Sequence, residues 1–503
     1  MNTSLDKILV NQRSYTRTLA GSRDFGLIVP KTFVRGIRKL GYKSNVEAIA
    51  ELVDNSIQAY AERIDLALGY AVGGSCAKPA QLAVIDDGHG MSPKMLRFAM
   101  MWGGTHREND RDGLGRFGYG LPCAAVSMGR CFTIYSKLRK GRVYAVSLDL
   151  DLLDSGGYSD SISDITIPAA QLATLPGFVV DAIKQRHPQG WNSGTIVVVD
   201  KLDRLDWPTA KGLRRNLVRH FGVTYHKLLK STAIHVDGEQ VLPIDPLFLD
   251  PEGEFHALDE DRAQAFDAMT VAIKCGDGAS GNLTLRYAWL PPTFGATDKS
   301  RDAIGMNANV RFPIIKRYHG LVFSRNRRVV DVQSRTPWTT FINNDRYIRV
   351  EVEFSASLDE AFGVTTSKQQ VSLSPEMWDH LRIAGLPKAI EHLRSKVRAA
   401  KAEQYRAAPG MFIEAGALTK AQCSAMAEGA LAFNTEAEPN QSPNWEELDK
   451  LIRGPVDAID PSLALSALLR RIERRASDRD PRVISEYRRL LKGWVRELSR
   501  ISQ

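Results

Sequence analysis

Long apolar runs are absent from this sequence of 503 residues. A membrane-spanning helix needs about 18 or more consecutive apolar residues, and no stretch of the chain provides them. The N-terminal segment MNTSLDKILVNQRSYTRTLAG also lacks the continuous apolar stretch of a signal peptide. These absences argue against a membrane enzyme, and we expect a cytoplasmic protein without a membrane partner.

Cysteine is scarce and scattered along the chain. The five cysteines include no C-x-x-C pair, so there is no zinc-site signature, and we expect reduced thiols with structural roles. Apolar residues make up 43% and charged residues 25% of the chain, which are ordinary globular values. Because the chain is too long for one ordinary core, two or three domains are expected.

The pattern of apolar residues predicts an α/β protein in four segments. Residues 1–40 read as an N-terminal arm, and residues 41–210 mix helix-like and strand-like runs around Gly-rich turns. Residues 211–400 contain β-like alternation in LTLRYAWL and YIRVEVEF and then turn helical. Residues 401–503 are helical in pattern and end in a basic tail. We therefore expect two α/β domains between an arm and a helical C-terminal region.

The segment AIAELVDNSIQAYAERI carries several polar residues for an apolar helix. Ser44 and Glu47 have the spacing of a capping box, which predicts that the helix begins there. Glu51 and Asn55 are four residues apart, so both side chains reach one neighbouring spot. Asp54 faces another side of the helix, where we expect a structural hydrogen bond. The alternative for Glu51 and Asn55 is that they are simply polar surface residues.

Three further motifs follow along the chain. The strand-like QLAVID ends in a Gly-rich turn, a glycine series precedes the helix-like LPCAA, and a Gly-Thr pair opens the strand-like IVVVDKL. Each motif alone is common in unrelated proteins, so only their combination carries weight. Their residues are Asp86, Gly88, Gly90 and Met91 in the turn, Gly115, Gly118 and Gly120 before the helix, and Gly194 and Thr195 at the strand.

In this order the four motifs resemble those of the GHKL ATPases. This superfamily contains DNA gyrase B subunits, ninety-kilodalton heat-shock chaperones, MutL proteins, microrchidia ATPases and sensor histidine kinases. The resemblance implies a Bergerat-type α/β sandwich over residues 41–210, with ATP between helices and one face of a mixed sheet. It also implies that residues 211–400 form an α/β transducer domain.

The resemblance assigns the catalytic chemistry to the first helix. Glu51 matches the carboxylate that orients or deprotonates the attacking water, and such a group is needed for hydrolysis. Asn55 matches the Mg²⁺ ligand, and its amide oxygen suits a hard cation that prefers oxygen. The cofactors implied are therefore ATP and Mg²⁺.

The resemblance assigns nucleotide binding to the glycine-containing motifs. Asp86 matches the acceptor of the adenine amino group, and Thr195 matches a threonine that bonds this aspartate and, through water, the adenine. Gly88 and Gly90 would let the backbone approach the base, beside which Met91 would pack. Backbone N–H groups of Gly115, Gly118 and Gly120 would face the phosphates at a helix N-terminus.

Two basic features bear on the γ-phosphate. Microrchidia-type ATPases often have a lysine soon after the last glycine, whereas Leu121 and Pro122 stand here. Three arginines of the glycine-rich segment are candidates to compensate, namely Arg107, Arg111 and Arg116. TTSKQQVSLSP resembles the transducer loop that sends a lysine to the γ-phosphate, and Lys368 is the candidate. The alternative is that Lys368 is an exposed loop lysine.

Three features of the sequence bear on the branch of the family and on the partners of the protein. Histidine kinases usually have asparagine where this chain has Glu51, so hydrolysis is favoured over phosphotransfer to histidine. GLVFSRNRRVV and the transducer-like pattern resemble microrchidia (MORC-like) ATPases, which implies a homodimer formed on ATP binding. Residues 470–503 contain eleven Lys/Arg and five Asp/Glu, a net charge of +6. This tail suits DNA phosphates; alternatives are a solvated helical face or a docking surface of a protein-remodelling ATPase.

Overall fold

The structure is a computed structural model. It describes Ser14 and residues 30–407, except for 41, 43, 72, 74–76, 105–117, 159–165, 188, 259–260, 275–279, 292–293, 295–308 and 365–369. Gly115, Lys368, the three arginines of the glycine-rich segment and the basic tail therefore lie outside the described residues. Apart from the end of the last helix, the described residues belong to one compact unit, Met1–Asp298 with Asn307–Glu403.

The first sheet has eight strands in the order β5-β4-β3-β6-β2-β1-β7-β8. Its strands are β1 (Arg63–Gly69), β2 (Gln81–Asp86), β3 (Gly129–Lys137), β4 (Tyr144–Asp149), β5 (Gln171–Leu172), β6 (Gly194–Leu202), β7 (Ala233–Val236) and β8 (Glu239–Gln240). β1 and β7 run parallel, and the other neighbours run antiparallel. The sheet is therefore mixed, and it continues past residue 210, the expected domain boundary, because β7 pairs with β1.

Helices cover both faces of the first sheet. They are α1 (Pro30–Leu40), α2 (Asn45–Gln58), α3 (Pro93–Ala99), α4 (Gly120–Met128), α5 (Leu150–Ser155), α6 (Gly177–Arg186) and α7 (Ala210–Thr224). Val197 and Val199 of β6 pack with the core that contains α2 and α4. Ile196 and Val198 pack with α6 on the opposite face. The continuous apolar run IVVV is explained by this burial on two faces.

The second sheet has five strands in the order β12-β11-β13-β10-β9. Its strands are β9 (Gln264–Lys274), β10 (Ser280–Trp289), β11 (Leu321–Arg325), β12 (Arg328–Gln333) and β13 (Ile348–Phe354), with helices α8 (Phe312–Arg317), α9 (Pro375–Ile383) and α10 (Leu386–Ala407) and short 3₁₀ helices at Asn343–Tyr347 and Ala356–Leu358. Only β11 and β13 pair in parallel among these strands. Apolar cores on the two faces contain α9 and α10 on one side and α8 on the other.

The architecture confirms the predicted α/β fold class, with two mixed sheets and their helices. The predicted helix start at Ser44 is confirmed, because its side chain accepts a hydrogen bond from the backbone of Glu47. Ser92 caps α3 in the same way, ahead of a proline in the first turn. Among the described residues, no helix is both long and apolar enough to cross a membrane.

Candidate functional site

A cavity of about 460 Å³ opens between α2, the turn after β2, the start of α4 and the start of β6. Except for Gly88 and Gly194, every described residue of the four motifs that the sequence pointed to lines this cavity. They are Glu51, Asn55, Asp86, Gly90, Met91, Gly118, Gly120 and Thr195. Four motifs that are distant in sequence therefore meet at one place.

Asp86 and Glu51 both line the cavity and are both buried, and Asp86 is held by a set of hydrogen bonds. Its Oδ1 accepts hydrogen bonds from the backbone N–H groups of Thr195 and Gly88, each at 3.0 Å. Its Oδ2 accepts one from the Ser56 hydroxyl at 3.1 Å. Burial raises the pKa of Asp86 to about 6, although these three hydrogen bonds act in the opposite direction. The site thus holds a hydrogen-bond acceptor in an apolar environment, which suits recognition of an amino group.

Two residues that sequence reasoning missed hold this region in place. Ser136 of β3 is fully buried and accepts a hydrogen bond from the backbone of Met91 at 2.8 Å. Its hydroxyl donates to the Gly194 carbonyl at 2.9 Å and lies 3.1 Å from the hydroxyl of Thr195. The Trp191 indole donates to the backbone carbonyl of Asp86 at 2.7 Å. Nothing in the local sequence marks either residue, because their partners lie far away along the chain.

The turn after β2 is shaped by the protein's own backbone. Gly90 has φ +71°, and a Cβ there would lie 2.1 Å from the carbonyl oxygen of Lys137. Asp87 accepts hydrogen bonds from the backbone of Glu62 and Arg63, each at 2.9 Å, and so ties this turn to the start of β1. Crowding by β3 therefore suffices to require glycine at position 90.

Glu51 lies at the N-terminus of α4. A Cβ on Gly120 would be only 2.1 Å from Glu51 Oε1, so the carboxylate and this backbone are packed directly together. The Tyr42 hydroxyl donates to the Gly120 carbonyl at 3.3 Å. Burial, and then the nearby Glu51, raises the pKa of Tyr42, which keeps the phenol neutral. A carboxylate is therefore held where a ligand at the helix end would lie.

The start of α4 suits an anion. Tyr119, the residue before α4, makes no capping hydrogen bond with its side chain, and Gly118, Tyr119 and Gly120 line the cavity beside it. Uncapped N–H groups and the helix dipole favour a negatively charged group such as phosphate. Gly103 donates its N–H to the Gly118 carbonyl at 3.2 Å, which joins the two ends of the glycine-rich segment.

The donor set also suits Mg²⁺ carried by phosphates. In the part of the chain that the structure describes, no three His, Cys, Asp or Glu side chains are grouped to hold a metal ion. Mg²⁺ bound with a nucleotide needs only one or two protein oxygens, since phosphates and water supply the others. Asn55, at the cavity wall one helical turn after Glu51, can provide such an oxygen.

These features are those expected of a nucleotide-binding site: a buried acceptor, a helix N-terminus that suits an anion and a carboxylate beside it. Residues 42–185 match the family model described as histidine kinase-, DNA gyrase B-, and HSP90-like ATPase. The chain therefore contains a GHKL-type ATPase domain, for which ATP binding is implied. No curated protein matches the chain.

Nucleotide affinity is expected to fall in acid, because a carboxylate accepts a hydrogen bond from an amino group better than a protonated carboxyl group does. The Asp86 pKa of about 6 places the protonated form below that pH, and the apparent Kd for ATP should rise about tenfold from about pH 7.5 to about pH 5. Calorimetric titration across this range measures the change. Phosphate groups titrate nearby, so Asp86→Asn provides the control: it should bind more weakly and lose most of the pH dependence. An unchanged profile in Asp86→Asn would contradict the assignment.

Proposed function

We propose that the protein is a Mg²⁺-dependent ATP hydrolase of GHKL type that acts as an ATP-gated dimeric clamp on DNA. The observation that carries the hydrolase assignment is the arrangement along α2. Glu51 lies against the N-terminus of α4, Asn55 follows one turn later, and Ser56 bonds Asp86. Glu51 and Ser56 are separated by about 7.5 Å along the helix axis. One rigid helix thus presents the reacting end and the base end of a bound nucleotide.

The hydrolytic step transfers the γ-phosphoryl group of ATP to water, with ADP as the leaving group. In our proposal Glu51 accepts a hydrogen bond from that water, aligns it and takes its proton. Asn55 would hold Mg²⁺, which offsets the phosphate charge when bound. The N-terminus of α4 would bind phosphate oxygens through its free N–H groups.

Adenine selection would depend on the buried end of the cavity. Asp86 would accept a hydrogen bond from the exocyclic amino group of adenine. Guanine has a carbonyl oxygen at that position, so it cannot donate this hydrogen bond. Thr195 reaches Asp86 through its backbone N–H rather than its hydroxyl, which leaves the hydroxyl beside Ser136 available to a water on the base. Met91, with its backbone fixed by Ser136, would pack beside the ring.

The second sheet would act as a transducer domain of the microrchidia-like type. Lys368, on a segment outside the described residues, is proposed to contact the γ-phosphate on the basis of the family resemblance. Its ammonium group would offset charge on the phosphoryl oxygens. ATP binding would then pair two protomers, and hydrolysis would separate them.

The clamp predicts retention on closed DNA. With a non-hydrolysable ATP analogue, the protein should become a dimer by light scattering and stay on circular DNA through a high-salt wash. It should be lost from the same DNA after linearisation, because salt removes the phosphate contacts and leaves only topological linkage. A protein that stays monomeric at saturating analogue, or that is lost equally from both DNAs, would contradict the clamp.

The alternative is a protein-remodelling or partner-recruiting ATPase whose basic C-terminal region docks a protein. The net charge of +6 over residues 470–503, at the end of that region, favours DNA. ATP hydrolysis that DNA does not stimulate, together with DNA affinity insensitive to salt, would favour the alternative.

A further inference from the structure

A buried ion pair joins the second sheet to the helix that carries Glu51 and Asn55. Arg328, the first residue of β12, donates from Nε to Asp54 Oδ1 at 2.8 Å. The side chain of Arg328 is 6% exposed, and that of Asp54 is fully buried. Asp54 precedes Asn55 by one residue and follows Glu51 by three, within the same turn of α2. The hydrogen bond expected for Asp54 is therefore made to a residue of the other sheet.

Tyr225, the residue after α7, also contacts Asp54. Its hydroxyl lies 2.9 Å from Asp54 Oδ1 and 2.8 Å from the carbonyl oxygen of Ala50, and its single proton can be donated to either. Burial disfavours the charge of Arg328, but Asp54, Tyr225 and Glu51 outweigh it and raise the pKa of the guanidinium. Arg328 thus remains a cation that interacts with two carboxylates of α2, those of Asp54 and Glu51.

The hairpin that carries Arg328 is itself fixed to the end of α7. Its two turn residues, Asn326 and Arg327, have positive φ angles of 45° and 69°, as a tight two-residue hairpin requires. Arg327 donates to the carbonyl oxygen of Lys227. Lys227 in turn bonds Glu351 of β13 at 2.6 Å. The hairpin, β13 and the end of α7 therefore form one polar cluster behind α2.

We infer that Arg328 is a positioning residue that couples the conformation of the β11–β12 hairpin to the nucleotide site through Asp54. This inference rests on the proposed function, in which Glu51 and Asn55 act on ATP. Separating the hairpin from α2 would leave a carboxylate and a guanidinium buried without each other, which is strongly unfavourable. A shift of either element is therefore transmitted to the other, and the coupling must be reciprocal.

The test compares Arg328→Met with Arg325→Met. Arg325 lies on the same hairpin and is equally buried, but its partner is Asp359, at 2.6 and 2.7 Å, rather than Asp54. In wild type, a non-hydrolysable ATP analogue should slow amide exchange in β12 by about fivefold or more. Arg328→Met should lose this exchange response, and its kcat should fall about tenfold. Its Kd for the analogue should change less than about threefold. Arg325→Met should keep the response and kcat.

The outcomes separate the inference from the proposed function. A wild type that binds no nucleotide refutes both. The inference alone is refuted if wild type binds and hydrolyses nucleotide but shows no exchange response in β12. It is also refuted if Arg328→Met retains the response of wild type. If Arg328→Met fails to fold, Arg328→Lys replaces it. Lysine keeps the charge but not the Nε contact, and Asp54→Asn removes the charge of the partner. The exchange response of β12 in Arg328→Lys should therefore lie between the responses of wild type and Asp54→Asn. A response equal to that of wild type in both Arg328→Lys and Asp54→Asn would overturn the coupling.

Discussion

Replacing Glu51 with glutamine will reduce ATP hydrolysis about a thousandfold, since general-base catalysis contributes about 10²–10⁴-fold. Glutamine has nearly the same shape and fits the same space beside Gly120, but it cannot take a proton from water. Nucleotide affinity should change little, because the base contacts at Asp86 and the helix N-terminus remain. Steady-state hydrolysis and calorimetric binding of ATP, measured on the same preparation, separate the two effects.

Glu47→Gln is the matched control for this substitution. Glu47 lies on the same helix, one turn earlier, and does not line the nucleotide cavity. Because Glu47 is half-buried outside that cavity, Glu47→Gln should leave kcat within about threefold. Loss of ATP binding in Glu51→Gln would mean that Glu51 is structural. Hydrolysis close to that of wild type would assign the base to another residue.

Those parts of the site that depend on local sequence were predictable. The Glu51–Asn55 spacing fixes a helical turn, and the Gly-rich turn after β2 places Asp86 at a strand end. Such motifs work because each is a single local structure with few conformational solutions. The α/β class followed from helix and strand periodicity in the same way.

Contacts across the fold could not be predicted. Asp54 and Arg328 are separated by 274 positions, and Ser136 reaches Met91 and Thr195 only because β3 pairs with β6. A lone buried serine or arginine has no periodicity of its own, so only the folded chain reveals its role. The reason for Gly90 also changed. The sequence suggested close approach of a ligand, whereas the structure shows close approach of the Lys137 carbonyl.

The two sides of α2 give the helix a double role. Glu51 and Asn55 face the nucleotide cavity, while Asp54 faces Arg328 and Tyr225. A helix that is buried nearly all round cannot rotate or slide without disturbing both sets of contacts. The polar residues of this apolar helix therefore line the cavity on one side and contact the second sheet on the other.

Gly120→Ala should impair hydrolysis by about 100-fold, which is a smaller loss than that expected for Glu51→Gln. The added Cβ would lie 2.1 Å from Glu51 Oε1 and 2.7 Å from its carboxyl carbon, so the carboxylate must move. A displacement of about 1 Å at a reacting group can cost about 100-fold in rate. ATP binding should also weaken, unlike in Glu51→Gln, because the phosphate-binding end of α4 shifts with the carboxylate. Single-turnover hydrolysis and ATP titration measure both effects.

Gly177→Ala supplies the control, because Gly177 is the first residue of α6 as Gly120 is of α4. A Cβ at position 177 meets no atom within 4 Å, and replacing glycine by alanine in compatible backbone stabilises a protein by about 0.4–1 kcal/mol. Gly177→Ala should therefore keep full activity and unfold at a slightly higher temperature. Full activity in Gly120→Ala would mean that Glu51 does not need its position at the end of α4. The role of Glu51 in activating water would then have to be withdrawn, even if Glu51→Gln were inactive.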